Sequence, residues 1–364
     1  MKLKDYLKDI INDFFYQMQE NKKNSLPIII LNWNGIDDTI ECIGSVLNTA
    51  NIAFHIWLID NNSDNLEGDK LTTLYKDNPK ITVIKFESNF GFAKAHIKIW
   101  DDVLSKSATK YIALLNNDTV VDPMWLINLV EFAKENRSDI VASKMINYYN
   151  RAIMDNAGHR MLTTGEIIPI GHNCLVDDYN QTFETIGACG GGLLYNTKML
   201  KEIGFFDPYF STGYEDAELG LRAVVSGFSS HYCPTAIVYH KMGKSIRKVF
   251  NKEYSMMIHK AILYSYFKCM PGLNIVLSLP SFLFKYISMI LIDIIFWRPD
   301  FLHILIHSWI SVVKNEGNWL LKRKKIKRRR YYFRHNMLIS FLPFDIERFW
   351  RIIVKKEKSA LDSY

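Results

Sequence analysis

Four short, largely apolar runs, each ended by polar residues that favour turns, constrain the fold of this chain most strongly. Segments with a helical pattern of apolar residues separate the runs. Strands that are apolar on both faces are typical of a parallel sheet with helices packed on both sides. The sequence therefore predicts an α/β fold with a mainly parallel central sheet. The runs cover residues 28–31, 54–59, 81–86 and 111–115.

The polar residues that follow these runs are candidates for a binding site, because ligands of such sheets bind beyond the carboxyl ends of the strands. Asp60 could orient a nucleotide base or a ribose, or it could cap a helix. Gly91 could let the backbone approach a pyrophosphate, with Lys94 adding positive charge. After the first run, a helix is predicted to begin near Asp37 or Asp38, either of which could cap it.

Asp118 follows the fourth run and two asparagines, and it is a candidate metal ligand. A hard cation such as Mg²⁺ or Mn²⁺ prefers oxygen ligands and binds through one or two carboxylates together with substrate phosphates. A cation there would neutralise the charge that develops on a departing diphosphate. The alternative is an ordinary Asn-Asn-Asp turn without a ligand.

Glu215 and Asp216 precede a second helical pattern, which continues to Arg222. An ionised carboxylate within hydrogen-bond reach of a hydroxyl can act as a general base. Acidic residues are also favoured at a helix N-terminus for electrostatic reasons alone. Both interpretations of this pair stay open.

His240 follows an apolar stretch, and an isolated histidine is more often structural than functional. The nearby Met242-Gly243-Lys244-Ser245 imitates the end of a phosphate-binding P-loop. Val238 stands where that motif needs a glycine, which excludes an ATPase of this type. No Gly-x-Gly-x-x-Gly motif follows the first run, which counts against a nicotinamide-dependent dehydrogenase.

The positive charge of the chain is concentrated in one place. The net charge is +7, and residues 322–330 alone hold eight positive charges, so the rest of the chain is close to neutral. This concentration of charge favours a binding role limited to that segment over general nucleic-acid binding by the whole protein. The five cysteines form no Cys-x-x-Cys pair, so neither a zinc site nor a disulfide framework is indicated, and a reducing, cytoplasmic environment is expected.

Two helical additions are predicted to flank a central domain of residues 26–245. In residues 1–25 apolar side chains recur at helical spacing, which predicts an amphipathic helix that docks on the domain or forms a homodimer. Residues 246–364 lack the alternation of strands and helices and are predicted to be helical.

The apolar segment 271–297 is long enough to span a membrane. Its two charges, Lys285 and Asp293, together with Pro280 and Pro299, favour broken helices that lie in the membrane interface. The basic run that follows would then bind anionic lipid head groups. A buried helical hairpin and a solvated tail are the alternatives.

Seven segments, taken together and in this order, resemble the family-2 glycosyltransferases, in particular the rhamnosyltransferase-like branch that builds bacterial surface polysaccharides. The resemblance covers about residues 26–245. Each segment is weakly specific, but seven in register are a strong indication. The segments are Ile30-Leu31-Asn32-Trp33-Asn34-Gly35, Ile59-Asp60-Asn61-Asn62-Ser63, Asn89-Phe90-Gly91-Phe92-Ala93-Lys94-Ala95, Leu115-Asn116-Asn117-Asp118, Gly204-Phe205-Phe206-Asp207, Glu215-Asp216-Ala217-Glu218-Leu219 with Arg222, and His240-x-x-Gly243-x-Ser245.

The resemblance implies a GT-A fold, a UDP- or dTDP-sugar donor and transfer with inversion at the anomeric carbon. It implies that Asp216 is the general base, with Glu215 as its acidic neighbour. It also implies that Asp118 binds Mg²⁺ or Mn²⁺ and that His240 is an additional ligand of the metal or the diphosphate. The residues that it implies at the nucleotide-sugar site are Asn32, Asn34, Asp60, Asn89, Gly91, Lys94, Asn116 and Asn117.

The sequence departs from the family pattern at three places. Asn116 stands at the first position of the DxD-type turn, which leaves one fewer negative charge on the metal. His96-Ile97 stands where relatives often carry asparagines, so the donor sugar does not follow from the resemblance. Beyond Gln181 the chain has no glutamine and hence no Gln-x-x-Arg-Trp segment of processive synthases, so one or a few sugars per acceptor are expected.

We therefore expect an enzyme at the cytoplasmic face of the membrane, with an anionic membrane surface as a partner. It would transfer a sugar, with rhamnose as one candidate, to a hydroxyl of a lipid-linked saccharide in cell-surface polysaccharide synthesis. A non-catalytic nucleotide-sugar-binding module and a membrane scaffold are the other classes. Carboxylates at both Asp118 and Asp216 favour the enzyme.

Overall fold

The computed structural model describes residues 24–50, 52–241, 252–296 and 300–328. The predicted helix of residues 1–25 lies outside this part of the chain except for its last two residues, and so do Gly243, Lys244 and Ser245. The strands are β1 (Leu26–Asn32), β2 (Phe54–Asp60), β3 (Ile81–Lys85), β4 (Tyr111–Asn116), β5 (Thr119–Val121), β6 (Ile140–Asn147), β7 (Met154–Asn156), β8 (His159–Met161), β9 (Ile167–Pro169), β10 (Gly192–Asn196) and β11 (Ser230–His240). The α-helices are α1 (Ile36–Leu47), α2 (Glu67–Tyr75), α3 (Gly91–Ser105), α4 (Trp125–Glu135), α5 (Thr197–Ile203), α6 (Glu215–Val225), α7 (Lys252–Cys269), α8 (Gly272–Phe296), α9 (Asp300–Val313) and α10 (Trp319–Lys325).

In the described ranges, nine strands form one mixed sheet in the order β3-β2-β1-β4-β10-β6-β11-β5, with β7 paired to β6. The four strands predicted from the apolar runs pair in parallel, and β6 pairs in parallel with β11. The predicted α/β fold is confirmed. The antiparallel strand β10 was not predicted, because it directly follows a run of glycines that is also typical of a loop.

Helices cover both faces of the sheet, as the apolar strands require. Alternate residues of β1 illustrate this, since Ile28 and Ile30 pack in one core and Ile29 packs in the other. Helices α1, α2 and α4 contribute to the first core, and α3, α5 and α6 contribute to the second. Ala261 and Tyr264 of α7 also belong to the second core, so this C-terminal helix packs on the same fold.

The start of α1 differs from the prediction. The helix begins at Ile36 after Gly35, and no side chain caps it. Asp38 instead receives an ion pair from Lys241, whose Nζ lies 2.5 Å from its carboxylate. Asp37 and Asp38 are the second and third residues of the helix, so both lie within its first turn and not at the capping position.

The apolar segment forms one helix rather than broken helices. Helix α8 spans 25 residues and continues through Pro280, although an interior proline removes a hydrogen bond and crowds the preceding turn. In the described part of the chain, Gly272–Leu291 is the one stretch that could cross a membrane by length and composition. Ten of its twenty residues are exposed and only three are buried, which contradicts the predicted alternative of a buried hairpin.

Part of the basic run has a structural role that the sequence did not indicate. The last carbonyls of a helix lack partners within the helix, and Arg323 donates to the carbonyl of Phe267 at 2.5 Å near the end of α7. Arg328 donates to the carbonyls of Lys268 and Cys269 at 2.7 and 2.8 Å. These two arginines therefore bind backbone carbonyls at the end of α7.

Candidate active site

Asn32, at the carboxyl end of β1, is a buried hub of hydrogen bonds. Its Nδ2 donates to Asp60 Oδ1 at 2.8 Å and to Glu67 Oε2 at 3.0 Å. Asp60 Oδ2 accepts from the backbone N–H of Ser63 at 3.3 Å, so both oxygens of this buried carboxylate have partners. Asp60 therefore holds the polar loops together, and its contact with a nucleotide base stays a prediction.

Asn34 connects the loops after β1 and β2. Its Nδ2 donates to Asp64 Oδ2 at 2.9 Å, and its Oδ1 accepts from the Asp64 backbone N–H at 2.7 Å. Asn34 itself lies in the left-handed region with φ of 53°, which asparagine tolerates better than most residues. The structure thus brings Asn32, Asn34 and Asp60 together at one edge of the sheet.

Asn89 and Gly91 shape the start of α3. Asn89 Oδ1 accepts from Asn61 Nδ2 at 2.9 Å and from the Gly91 backbone N–H at 2.7 Å. A Cβ on Gly91, whose φ is +72°, would lie 2.7 Å from the carbonyl oxygen of Ser211. Glycine is therefore required here for contact with the loop before α6, while Lys94 is exposed on the first turn of α3.

His96, the departure from the family pattern, is a core residue. It is buried, its Nδ1 lies 2.8 Å from the carbonyl oxygen of Phe92, and burial lowers the pKa of its imidazole to about 4. Its ring packs against Phe92 and Phe206 with centroid distances of 4.2 and 5.8 Å. The side chain at this departure therefore packs in the core between α3 and the segment at Phe206.

Asp118 lies in a chain of polar groups at the carboxyl end of the sheet. Its Oδ1 is 3.3 Å from His240 Nε2, and the other ring nitrogen of His240 is 2.7 Å from Asp155 Oδ2. The Asp118 carbonyl accepts from the backbone N–H of Lys241 at 2.9 Å. Nearby, Asn117 Nδ2 donates to Thr39 Oγ1 at 2.9 Å, which connects this turn to α1.

Asp118, His240 and Asp155 stabilise one another in their charged forms. Burial would lower the pKa of His240, but the adjacent Asp118 and Asp155 carboxylates raise it well above its ordinary value. Burial would raise the pKa of both carboxyls, but the charge of His240 brings each below its usual range. Both acids are therefore ionised at neutral pH.

Asp118 and His240 could hold a divalent cation together with other ligands, with the cation taking the place of the proton between His240 Nε2 and Asp118. Among the residues that the structure describes, no cluster of three His, Cys, Asp or Glu side chains could bind a metal by itself. Mg²⁺ usually keeps several waters and binds through one or two carboxylates plus substrate phosphates. One carboxylate beside one imidazole fits a cation that is shared with a diphosphate.

Asp216 is connected to the Asp118 turn through the glycine-rich loop. Its Oδ2 accepts from the backbone N–H of Gly190 at 2.8 Å, and its Oδ1 accepts from that of Ala217 at 2.7 Å. The next residue, Gly191, accepts at its carbonyl from the Asn116 N–H at 3.3 Å. The two predicted acidic sites therefore meet on either side of this loop.

Glu215 is buried beside Asp216. Its Oε2 has no hydrogen-bond partner within the described part of the protein. Burial, and then the charge of Asp216, raise the pKa of the Glu215 carboxyl to about 8. Glu215 is thus protonated at neutral pH.

Several residues of the site were missed in the sequence. Thr39, Ser63 and Glu67 bind the asparagines after β1 and β4 but lie inside ordinary helix and turn patterns. The glycines at 190 and 191 had a visible signal, since they lie in a glycine run. Asp155 had none, because it lies in an irregular segment far from His240 in sequence.

Residues 28–204 match the model of glycosyl transferase family 2. No curated protein matches the sequence. The fold is similar to the crystal structure of GalNAc-T7 with UDP, GalNAc and Mn²⁺, with a TM-score of 0.52 and 16% identity over 67% of this chain and 50% of that one. The chain thus spans half the length of that protein.

S. aureus TarS 1–349 in complex with UDP-GlcNAc is also similar, with a TM-score of 0.50 and 15% identity over 72% of this chain and 73% of that one. Identities this low establish a common fold and no more. The mixed sheet is that of a GT-A domain, and residues 28–204, which form most of that sheet, match the model of glycosyl transferase family 2.

Proposed function

We propose that this protein is an inverting glycosyltransferase that moves a sugar from a UDP- or dTDP-linked donor to a hydroxyl of a saccharide acceptor. The observation that carries the proposal is the loop at Gly190 and Gly191, which contacts Asp216 on one side and Asn116 on the other. A carboxylate and a cation-binding turn that meet at one loop can act on the two ends of the same glycosidic bond.

In the proposed reaction the acceptor oxygen attacks the anomeric carbon and its proton passes to Asp216. The bond from the anomeric carbon to the diphosphate oxygen breaks, and its electron pair leaves with the nucleoside diphosphate. A single displacement of this kind inverts the anomeric centre. Because Glu215 is protonated at neutral pH, Asp216 is the carboxylate of this pair that can accept the proton.

Asp118 and His240 would hold a divalent cation, which neutralises the developing charge on the diphosphate when it is bound. The asparagines at the ends of β1 and β4 would contact the nucleotide, with Asp60 holding Asn32 and Asn89 holding the loop after β2 through Asn61. A UDP-linked donor is supported by the two similar structures, which contain UDP and UDP-GlcNAc. Rhamnose, as its dTDP or UDP derivative, is the sugar suggested by the resemblance to rhamnosyltransferases.

We also propose that α8 and α9 rest on an anionic bilayer and bring the site to a lipid-linked acceptor. Three lysines of the basic run, Lys324, Lys325 and Lys327, are exposed next to these helices in sequence and can reach lipid head groups. An apolar face bordered by lysines is typical of interfacial helices. The exposed apolar residues of the two helices are Leu273, Val276, Leu277, Leu279, Leu283, Phe284, Ile287, Leu291, Ile294, Leu302, Ile306, Ile310 and Val313.

The transferase proposal is tested by incubating the protein with a panel of UDP- and dTDP-sugars and measuring release of the free nucleotide. We expect release from one donor to depend on Mg²⁺ or Mn²⁺ and to increase with a matching saccharide acceptor. Donor binding without release, even by slow hydrolysis, would instead indicate a non-catalytic binding module. Absence of any nucleotide affinity would contradict the proposal altogether.

The membrane proposal is tested by vesicle flotation with phosphatidylglycerol and phosphatidylcholine mixtures. Charge reversal of Lys324, Lys325 and Lys327 to Glu should weaken binding to anionic vesicles, since each basic residue near the surface contributes about 1 kcal/mol. Reversal of the exposed Lys70, Lys76 and Lys198 is the matched control. Equal binding by both variants would contradict the lipid role of the basic run.

A further inference from the structure

Asp155, which lies outside all seven family segments, contacts the histidine of the candidate metal site. It is the middle residue of β7, and its side chain is buried. Its Oδ2 lies 2.7 Å from His240 Nδ1, while the opposite ring nitrogen of His240 faces Asp118 at 3.3 Å. We propose that Asp155 is a positioning residue that fixes the ring of His240 so that its Nε2 faces the cation site.

The two nitrogens of an imidazole ring point in different directions, so a partner on one of them sets where the other points. A histidine that binds a metal through one nitrogen usually donates the N–H of the other to a carboxylate or carbonyl, and this hydrogen bond sets both the tautomer and the orientation of the ring. Asp155 accepts at Nδ1, which leaves Nε2 as the ligand nitrogen. Nε2 is also the nitrogen that lies beside Asp118, the other candidate ligand.

The backbone holds Asp155 firmly enough for this role. Both neighbours of Asp155 lie in β7, which pairs with β6 at Met145 and Ile146. On the other side, the Met154 N–H donates to the carbonyl of Cys174 at 2.9 Å. His172 Nδ1 lies 3.1 Å from the Asp155 carbonyl oxygen and 3.5 Å from its Oδ1. The carboxylate is thus fixed from both sides before any ligand binds.

A purely structural role is the competing explanation, because a buried carboxylate beside a histidine also stabilises the fold. The two roles differ in what they predict for the cation. A positioning residue acts on metal affinity through His240, so its effect must disappear when His240 is removed. A structural residue changes the stability of the protein and leaves the affinity for the cation unchanged.

The inference rests on the proposed function, since it assumes a cation shared with a nucleotide diphosphate. It is tested by titrating the full chain with Mn²⁺ in the presence of UDP and measuring free Mn²⁺ by electron paramagnetic resonance. Asp155→Asn should weaken Mn²⁺ binding by about 10- to 100-fold, the usual effect of removing a partner of a metal-binding histidine. Asp155→Glu, which keeps the charge at a changed distance, should lie between that variant and the natural protein.

Two controls complete the experiment. Asp178→Asn makes the same change at an exposed position of the same segment and should bind Mn²⁺ as the natural protein does. His240→Gln should itself weaken binding, and adding Asp155→Asn to it should weaken binding by less than about twofold.

Unchanged Mn²⁺ affinity in Asp155→Asn would overturn the inference and leave the proposed function intact. Full additivity in the double variant would overturn it as well, because the effect would then not pass through His240. If the natural protein binds UDP but no Mn²⁺, the metal part of the proposed function and this inference both fail.

Discussion

Two glutamates on the same helix, Glu215 and Glu218, lie about one turn apart, and both are buried. Glu215 is nevertheless protonated at neutral pH, while Glu218 is ionised. For both, burial would raise the pKa. At Glu218 the charges of Arg222 and Lys268 outweigh burial and lower the pKa, with Arg222 Nε at 2.9 Å and Lys268 Nζ at 2.7 Å. At Glu215 the adjacent charge of Asp216 adds to burial and raises the pKa to about 8. Burial favours the neutral form of both glutamates, and the basic neighbours of Glu218 are what keep that residue ionised.

The difference divides α6 into two parts with separate roles. Its first turn faces the candidate active site and keeps a protonated acid beside Asp216. Glu218 connects the helix to the C-terminal helices, because Lys268 of α7 pairs with both Glu218 and Asp207, at 2.7 and 2.6 Å, and Lys322 reaches the Asp207 carboxylate at 2.6 Å. Four predictions test this division, in order of decreasing effect.

Asp216→Asn should lower turnover by about 10²- to 10⁴-fold, because an amide cannot take the proton of the acceptor hydroxyl. UDP or dTDP affinity, measured by calorimetry, should stay nearly the same. Glu253→Gln, an exposed change on α7, is the control and should keep full activity. Near-normal turnover of Asp216→Asn would refute the assignment of the base.

Glu218→Gln should lower the free energy of unfolding by about 3–5 kcal/mol, the usual cost of removing one partner from a buried ion pair. Arg222 and Lys268 would then have lost a buried counter-charge. Urea unfolding checks this, with Glu253→Gln expected within about 0.5 kcal/mol of the natural protein. A loss as small as that of the control would show that the network does not anchor α7.

Glu215→Gln should change how stability depends on pH. The pKa of Glu215 is raised in the folded protein, so its folded form binds more protons than its unfolded form between its ordinary pKa of 4.5 and about 8. The contribution is fully present below pH 4.5 and is lost as pH rises to about 8, with a slope of up to about 1.4 kcal/mol per pH unit. The variant should remove this slope from unfolding free energies measured between pH 5 and 8. A slope equal to that of the natural protein would mean that Glu215 is ionised throughout.

Lys322→Met should lower the free energy of unfolding by about 1 kcal/mol, because Asp207 would lose one of its hydrogen-bonded partners. Asp207 would retain Lys268 and the hydroxyl of Tyr264 at 2.7 Å, so the loss stays small. Lys324→Met, two residues away and exposed, should change stability by less than about 0.5 kcal/mol. Thermal unfolding compares the stability of the two variants. Equal midpoints would contradict the division of the basic run into residues bound within the protein and residues exposed to solvent.

Much of the fold could be predicted because its signals are local. The four apolar runs correspond to β1 to β4, each within one residue at its carboxyl end and two at its start. The carboxyl ends of parallel strands lie at one edge of the sheet, so Asn32, Asp60 and Asn116 were expected to lie near one another, and the hydrogen bonds of their loops connect them. The cap of α1 was mispredicted because the helix begins at Ile36, before both aspartates, and β10 was not predicted because it begins within a glycine run.

The sequence by itself determined the α/β order of elements, the polar strand ends and the acidic start of α6, since each depends on residues close together in the chain. The tertiary structure alone decided the contact of Asp155 with His240, the protonation of Glu215, and the division of the basic run into bound and exposed residues. The reason is distance along the chain. Asp155 and His240 are 85 positions apart, and Lys322 and Asp207 are 115 apart, so their charges interact only after folding has brought the elements together in a buried, weakly screened environment.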